Sequence, residues 1–224
     1  MKKKMIDPYI DNRHFILKNK LGITNAEKLK EAESNIVTLK IAEVYAELPK
    51  TPKYNPSSDY LLALHKYLFK DLYGFAGEYR TIHIEKSERA LAFLSVEYSE
   101  PEEISDKVEN VFKTIRETDF YSLDNEEKID YVTNILVDLW KTHPFREGNT
   151  RTSLVFLKCF LKSYNIEFDA ELFKMHGTYQ YTRDALVAAS FEAEDLNVKR
   201  DYRYIRGIVN EIMEESLENN LTAK

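Results

Sequence analysis

Residues 142 to 160 read THPFREGNTRTSLVFLKCF, a histidine, a glutamate, a Gly-Asn pair and an arginine set directly before an apolar helical run. The first backbone N–H groups of a helix lack intrahelical partners and point outward along a favourable dipole, so this helix start is an anion site. Gly148 allows close backbone approach, Asn149 can hold the turn, and Arg151 adds a planar fork suited to phosphate. Glu147 is a hard oxygen donor one residue before the glycine, placed to hold a magnesium ion that also takes phosphate oxygens. His143, at the end of the preceding helix, is the side chain best suited to accept a proton near neutral pH, and Phe145 would anchor the loop in the core. A base, a metal carboxylate and an anion cradle together describe displacement at phosphorus by an incoming hydroxyl.

The elements that must hold this loop are mostly helical. Residues 9 to 21 suggest a short helix that stops at Gly22, and a longer amphipathic helix follows to about residue 47, with Ile36, Val37, Ile41, Val44 and Tyr45 at helical spacing. The proline-bearing stretch LPKTPKYNPSSD marks a boundary, which divides the chain into an N-terminal arm (1–56), a core (57–206) and a C-terminal helix and tail (207–224). Asp59 is a cap for a helix carrying Leu61, Leu64, Leu68 and Leu72. Between residues 80 and 98, Ile82 and Ile84 alternate with polar neighbours, KSER resembles a turn and ALAFLSVEY is a second extended run, which predicts a β-hairpin.

Helical period returns with Pro101 in a first turn and Ile104, Val108, Val111, Phe112 and Ile115 on one face. Asp124 and Glu127 form a capping pair for a helix whose stripe is Ile129, Val132, Ile135, Leu136, Leu139 and Trp140. SLVFLKCFL is apolar all round and reads as the central helix, with further helices over DAELFKM, TYQYTRDALVAASFE and the C-terminal stretch from residue 199. The expected class is therefore mostly α, a helical bundle with one β-hairpin.

Composition narrows the function. A net charge of -6 leaves no global electrostatic footprint for nucleic acid. No run reaches the length of a membrane span, no apolar stretch follows the basic start, and the single Cys159 suits a reducing compartment, so the expected location is cytoplasmic, with secretion by a dedicated system left open and neither membrane nor nucleic acid as partner. His14, His65, His83 and His176 show no metal-ligand spacing, and His65 reads as a satisfied buried residue. Fifteen tyrosines serve mainly packing, while Tyr179, Tyr181, Tyr202 and Tyr204 are candidates for seating a base or accepting a transferred group.

HPFREGNTR resembles the signature of the Fic family, HxFx(D/E)GNGRxxR, and LFKDLYGFAGEYRTIHIEK resembles the segment leading into that family's flap hairpin. The likeness in order and spacing runs from about residue 60 to 205. It implies the Fic fold, a helical bundle with one β-hairpin flap, and transfer of AMP from magnesium ATP to a Ser, Thr or Tyr hydroxyl of a target protein. Carried onto this chain, His143 is the base, Glu147 the Mg2+ ligand, Gly148, Asn149 and Thr150 line the anion hole, and Arg151 contacts phosphate. A flap with Ile82, His83, Ile84 and Phe93 would hold the target by strand addition. Family-level expectations add self-modification, a homodimer and an antitoxin partner.

Two positions depart from the signature, Thr150 for a glycine and Leu154 for the second arginine. Threonine would crowd the phosphates or donate its hydroxyl to them, and the lost arginine removes a contact of about 1.5 to 3 kcal/mol. The family's inhibitory motif, (S/T)xxxE(G/N), has no complete copy: Ser34 is followed by Thr38, Glu218 and Asn219 by position follow Glu214, and Ser190 and Glu194 precede Asp195. With Leu154 in place of arginine, the usual inhibitory pairing has no partner and is expected to be missing. Another nucleotide or phosphate donor, or a degenerate binding module, stay open as alternatives.

Overall fold

The helical periods are realised as seven α-helices in a computed structural model, which describes residues 7–168 and 176–222. The segment DAELFKM lies outside the described residues. Helix α1 (Ala26–Tyr45) starts at Asn25, whose side chain accepts from the Lys28 N–H, and it buries one face through Leu29, Val37 and Val44. Helix α2 (Ser58–Phe69) is capped by the Ser57 hydroxyl rather than by Asp59, which sits in the first turn beside the positive end of the dipole. Leu61, Leu64, Leu68 and Leu72 are all buried as their spacing required.

Helix α3 (Ile104–Glu117) follows a 3-10 turn at Pro101–Glu103 and buries the five apolar residues that its period marks. Helix α4 (Asn125–Thr142) opens with the reciprocal Asp124–Glu127 capping box, each side chain accepting from the other residue's backbone N–H. It packs against α3, α5 (Asn149–Lys162), α6 (His176–Ser190) and α7 (Arg203–Thr222), and α5 packs in turn on α2. α5 is the central helix, with Leu154, Val155, Phe156, Leu157, Phe160 and Leu161 all buried. One core joins these elements: Val37 and Val44 from the N-terminal arm and Ile205, Val209 and Ile212 from α7 belong to it, and residue 206 falls inside α7.

Two expectations about extended structure are corrected. Residues 9 to 21 form no helix; they carry the one strand pair among the described residues, β1 (Ile10–Asp11) antiparallel to β2 (Ile16–Leu17), with Ile10 opposite Leu17. The cause is local: Asp11 accepts the Arg13 N–H on its side chain and the His14 and Phe15 N–H groups on its carbonyl, and Phe15 completes the turn at a positive φ of 56°.

Conversely, residues 80–98 form no paired strands. Their alternation is real, since Ile82, Ile84, Val96 and Tyr98 are all buried, but the two extended legs lie on the core instead of on each other. Arg80 takes the carbonyls of Ile82 and Ser99, and between the legs a short 3-10 turn at Arg89–Leu91 closes with Glu88 N–H to Leu94 O and Phe93 N–H to Glu88 O. Glu88 is pulled inward to pair with Arg183 of α6 at 2.6 Å and to accept from the Tyr98 hydroxyl. No helix among the described residues is long and apolar enough to cross a membrane.

Candidate active site

The loop between α4 and α5 is built by mutual bracing. Asn149 is almost wholly buried and closes a ring with Phe145: its Oδ1 accepts the Phe145 N–H at 2.8 Å and its Nδ2 donates to the Phe145 carbonyl at 2.7 Å. Phe145 stacks flat on His65, ring centroids 3.7 Å apart, which fixes it as the anchor of the loop. His65 in turn accepts the Gly77 N–H on Nδ1, so its Nε2 carries the proton and donates to the Glu147 carbonyl at 3.0 Å. Burial pushes its pKa down to about 3, consistent with a neutral ring used as structure.

Gly148 caps α5 at a φ of 81°, and a Cβ there would lie 2.3 Å from the Phe69 ring. No other residue fits, because both the backbone conformation and the space exclude a side chain. The N–H groups of Asn149, Thr150 and Arg151, in the first turn, have no intrahelical acceptor by the geometry of any helix start, and such a start is suited to an anion.

His143 ends α4 in the left-handed region, φ 49° and ψ 58°, a conformation that costs energy for a non-glycine residue. Its ring is 2% exposed, tilted against Tyr98 at 3.9 Å and edge-on to Trp140 at 5.4 Å. Nδ1 lies 3.3 Å from the Trp140 carbonyl, which can only accept, so Nδ1 holds the proton. Nε2 is buried with no hydrogen-bond partner among the described residues and keeps its lone pair. Burial first, then the charge of Lys86, holds the ring well below the ordinary histidine range, so it stays in the basic, unprotonated form.

Glu147 accepts the Gly148 N–H at 2.8 Å and lies 3.5 Å from Arg151. Burial works to raise its carboxyl, but the charges of Lys86 and Arg151 with the Gly148 N–H outweigh that and hold it ionised below the usual range. A single ionised carboxylate beside an anion cradle fits a magnesium ion completed by phosphate oxygens, and the described residues contain no cluster of three ligands that would hold a metal alone.

Thr150 is buried, 7% exposed. Its hydroxyl accepts the Trp140 indole N–H at 2.9 Å inside the core, so this departure from glycine satisfies a buried donor. Leu154 is packed in the core one turn further along α5. Arg151 lies over the Phe69 ring at 4.9 Å and pairs with Glu33 of α1 at 2.5 Å, and Glu33 also takes the Tyr73 hydroxyl.

The structure thus brings His143, Glu147, Gly148, Asn149, Thr150 and Arg151 together, and adds four residues that sequence reasoning did not single out: Glu33, Arg80, Lys86 and Tyr98. Glu33 directly precedes Ser34, and Arg80 ends the GEYR of the flap approach. Of the four flap residues, Ile82 and Ile84 are core side chains, His83 lies 3.2 Å from Glu100 and Phe93 is 72% exposed. Cys159 is half-buried, and burial pushes its thiol up.

A profile described as the Fic/DOC family matches residues 55–161. The chain is similar to the protein adenylyltransferase VbhT of Bartonella schoenbuchensis, 28% identical over 165 residues that make up 73% of this chain and 33% of VbhT, so it spans about a third of that relative's length. A probable protein adenylyltransferase of Sinorhizobium fredii, y4lH, is 27% identical over 166 residues, 73% of this chain and 79% of y4lH. Among solved structures, BepC of Bartonella tribocorum with bound AMPPNP superposes with a TM-score of 0.72 at 19% identity, covering 94% of this chain and 98% of that one. The N-terminal Fic domain of a Bartonella quintana effector with bound ADP gives 0.72 at 18% identity, covering 91% and 93%. At these identities the superpositions show the fold: the helical arrangement described above is the Fic fold.

Proposed function

From the match to the Fic/DOC family over residues 55–161 we propose that the chain is a protein adenylyltransferase of that family, moving AMP from ATP to a Ser, Thr or Tyr hydroxyl of a target protein. One observation carries this reading: Nε2 of a neutral His143 is buried and unpartnered, five residues before the Gly148 cap of a helix whose first turn carries Arg151. His143 Nε2 takes the proton of the target hydroxyl as its oxygen bonds to the α-phosphorus. The bond from that phosphorus to the β-phosphate bridging oxygen breaks, and pyrophosphate leaves with the electron pair.

Glu147 would hold a magnesium ion, whose chemistry when bound is to offset charge on the phosphate oxygens. The N–H groups of Asn149 to Arg151 orient phosphate, and the Tyr98 and Trp140 rings exclude water from His143. The target would lie against residues 86–95, where Phe93 offers an exposed ring, and residues 57–206 form the catalytic core in a cytoplasmic setting.

Leu154 leaves the usual inhibitory pairing with a second arginine without a partner. Glu33 introduces a different one, since phosphate must share or displace the carboxylate that now holds Arg151. Transfer of the α-phosphate label from ATP to the chain itself or to a lysate protein, present in the parent and absent in His143→Ala at equal folded content, tests the reading. An equally active His143→Ala would refute the mechanism, and label from a different nucleotide would favour the alternative donor.

A further inference from the structure

Arg80 is a guanidinium 2% exposed to solvent, with no carboxylate within 4.0 Å among the described residues. Its side-chain hydrogen bonds go to backbone carbonyls alone, and the charge of Glu100 acts on it from beyond ion-pair distance. Nε donates to His143 O at 2.8 Å, one terminal nitrogen donates to Ile82 O at 2.7 Å, and the other donates to Ser99 O. Its own backbone N–H adds a bond to Pro144 O at 2.9 Å. A buried cation without a contacting carboxylate is costly, and an apolar side chain of similar length would fill the space at less cost. What an apolar residue lacks is the fork, whose fixed geometry reaches carbonyls from three separate segments at once.

Those segments are the left-handed cap that presents the imidazole, the leg that enters the flap region and the leg that leaves it. The leaving leg also carries Tyr98, whose ring rests on His143. Anchoring the His143 carbonyl fixes the peptide plane beyond it, and so the direction in which a residue at a strained φ projects its side chain.

We propose that Arg80 is a positioning residue, which locks the base and both legs of the flap region to one point, so that a target docked on residues 86–95 arrives in register with Nε2 of His143. The kinetic part of this inference rests on the adenylyltransferase reading; the mechanical part does not. Arg80→Met and Arg80→Lys are compared with the parent. The positioning role predicts that kcat for transfer, per nucleotide-binding site titrated, falls by about 100-fold in Arg80→Met while affinity for ATP is unchanged, since misplacement on the order of 1 Å has that effect on rate. Arg80→Lys should fail to rescue, because an ammonium restores the charge without the fork. A purely structural role would instead reduce the number of titratable sites and leave kcat per site intact.

Amide hydrogen exchange on the same proteins is the arm that needs no activity. In either variant the segments 82–99 and 143–146 should lose protection together, while α3 and α7 keep theirs. Unchanged exchange in those two segments, or wild-type kcat in Arg80→Lys, overturns the proposal. A parent protein that transfers no AMP would sink the functional reading alone and leave exchange to decide this one; if Arg80→Met does not fold, Arg80→Lys carries both arms.

Discussion

Neutralising Glu33 should tighten nucleotide binding. Its carboxylate and the Arg151 guanidinium are 14% and 20% exposed and meet at 2.5 Å, so the pair is largely shielded from water. At an effective dielectric near 20 and a charge separation of about 4 Å, the gross attraction is about 4 kcal/mol. Desolvation offsets much of that, and hydrogen bonds to charged groups contribute a net of about 1.5 to 3 kcal/mol. An incoming phosphate that competes for Arg151 loses this amount, and Glu33→Gln returns roughly 1.4 kcal/mol or more, about a tenfold lower Kd for ATP. Glutamine keeps an oxygen to accept the Tyr73 hydroxyl, so the fold is spared an orphaned donor. Calorimetric titration of ATP into both proteins measures the difference. An affinity that is unchanged or weaker in Glu33→Gln would refute the idea that phosphate and Glu33 share one arginine.

Further predictions concern the rest of the loop. Thr150→Ala removes the acceptor of the Trp140 indole and should cost about 1 to 3 kcal/mol, seen as a lower Tm at roughly 2 to 4 °C per kcal/mol for a chain of this size. Stability should fall as pH drops below about 6.5, because the unfolded chain gains protons at His65 and His143 that the folded chain refuses until near pH 3 at His65. His65 alone loses on the order of 2 kcal/mol between pH 7.5 and 5 and His143 acts in the same direction, so denaturant midpoints over that range should slope downward towards acid, and a flat profile would show the rings are not held neutral. His143→Ala should retain the parent's Tm within a few degrees while label transfer disappears.

How much of this could be read from the sequence depends on the range of the interaction. The Asp124–Glu127 cap, the apolar stripes of α3 and α4 and the loop from His143 to Arg151 are local patterns, and they fold as their spacing requires. Residues 80–98 show the limit of period two. Alternation reports which side chains face inward, and it is blind to whether the backbone bonds to a neighbouring strand or to a buried guanidinium. The N-terminal hairpin was hidden because its turn depends on Asp11 bonding to its own neighbours and on a phenylalanine at positive φ, neither of which apolar spacing records. Glu33 and Arg151 are 118 positions apart, and packing of both α1 and α5 against α2 makes them partners. Thr150 looked like an intrusion into the ligand site because the indole it satisfies comes from the previous helix.

Trp140 is the chain's single tryptophan, and it is bonded to the first turn of α5 and set edge-on to His143. The protein therefore carries an intrinsic fluorophore at the base of the α4–α5 loop. Excited at the red edge, where the fifteen tyrosines are silent, its emission reports one place only: a shift to longer wavelength or a change in quenching registers rearrangement between α4 and α5, with no dye attached and no substitution made.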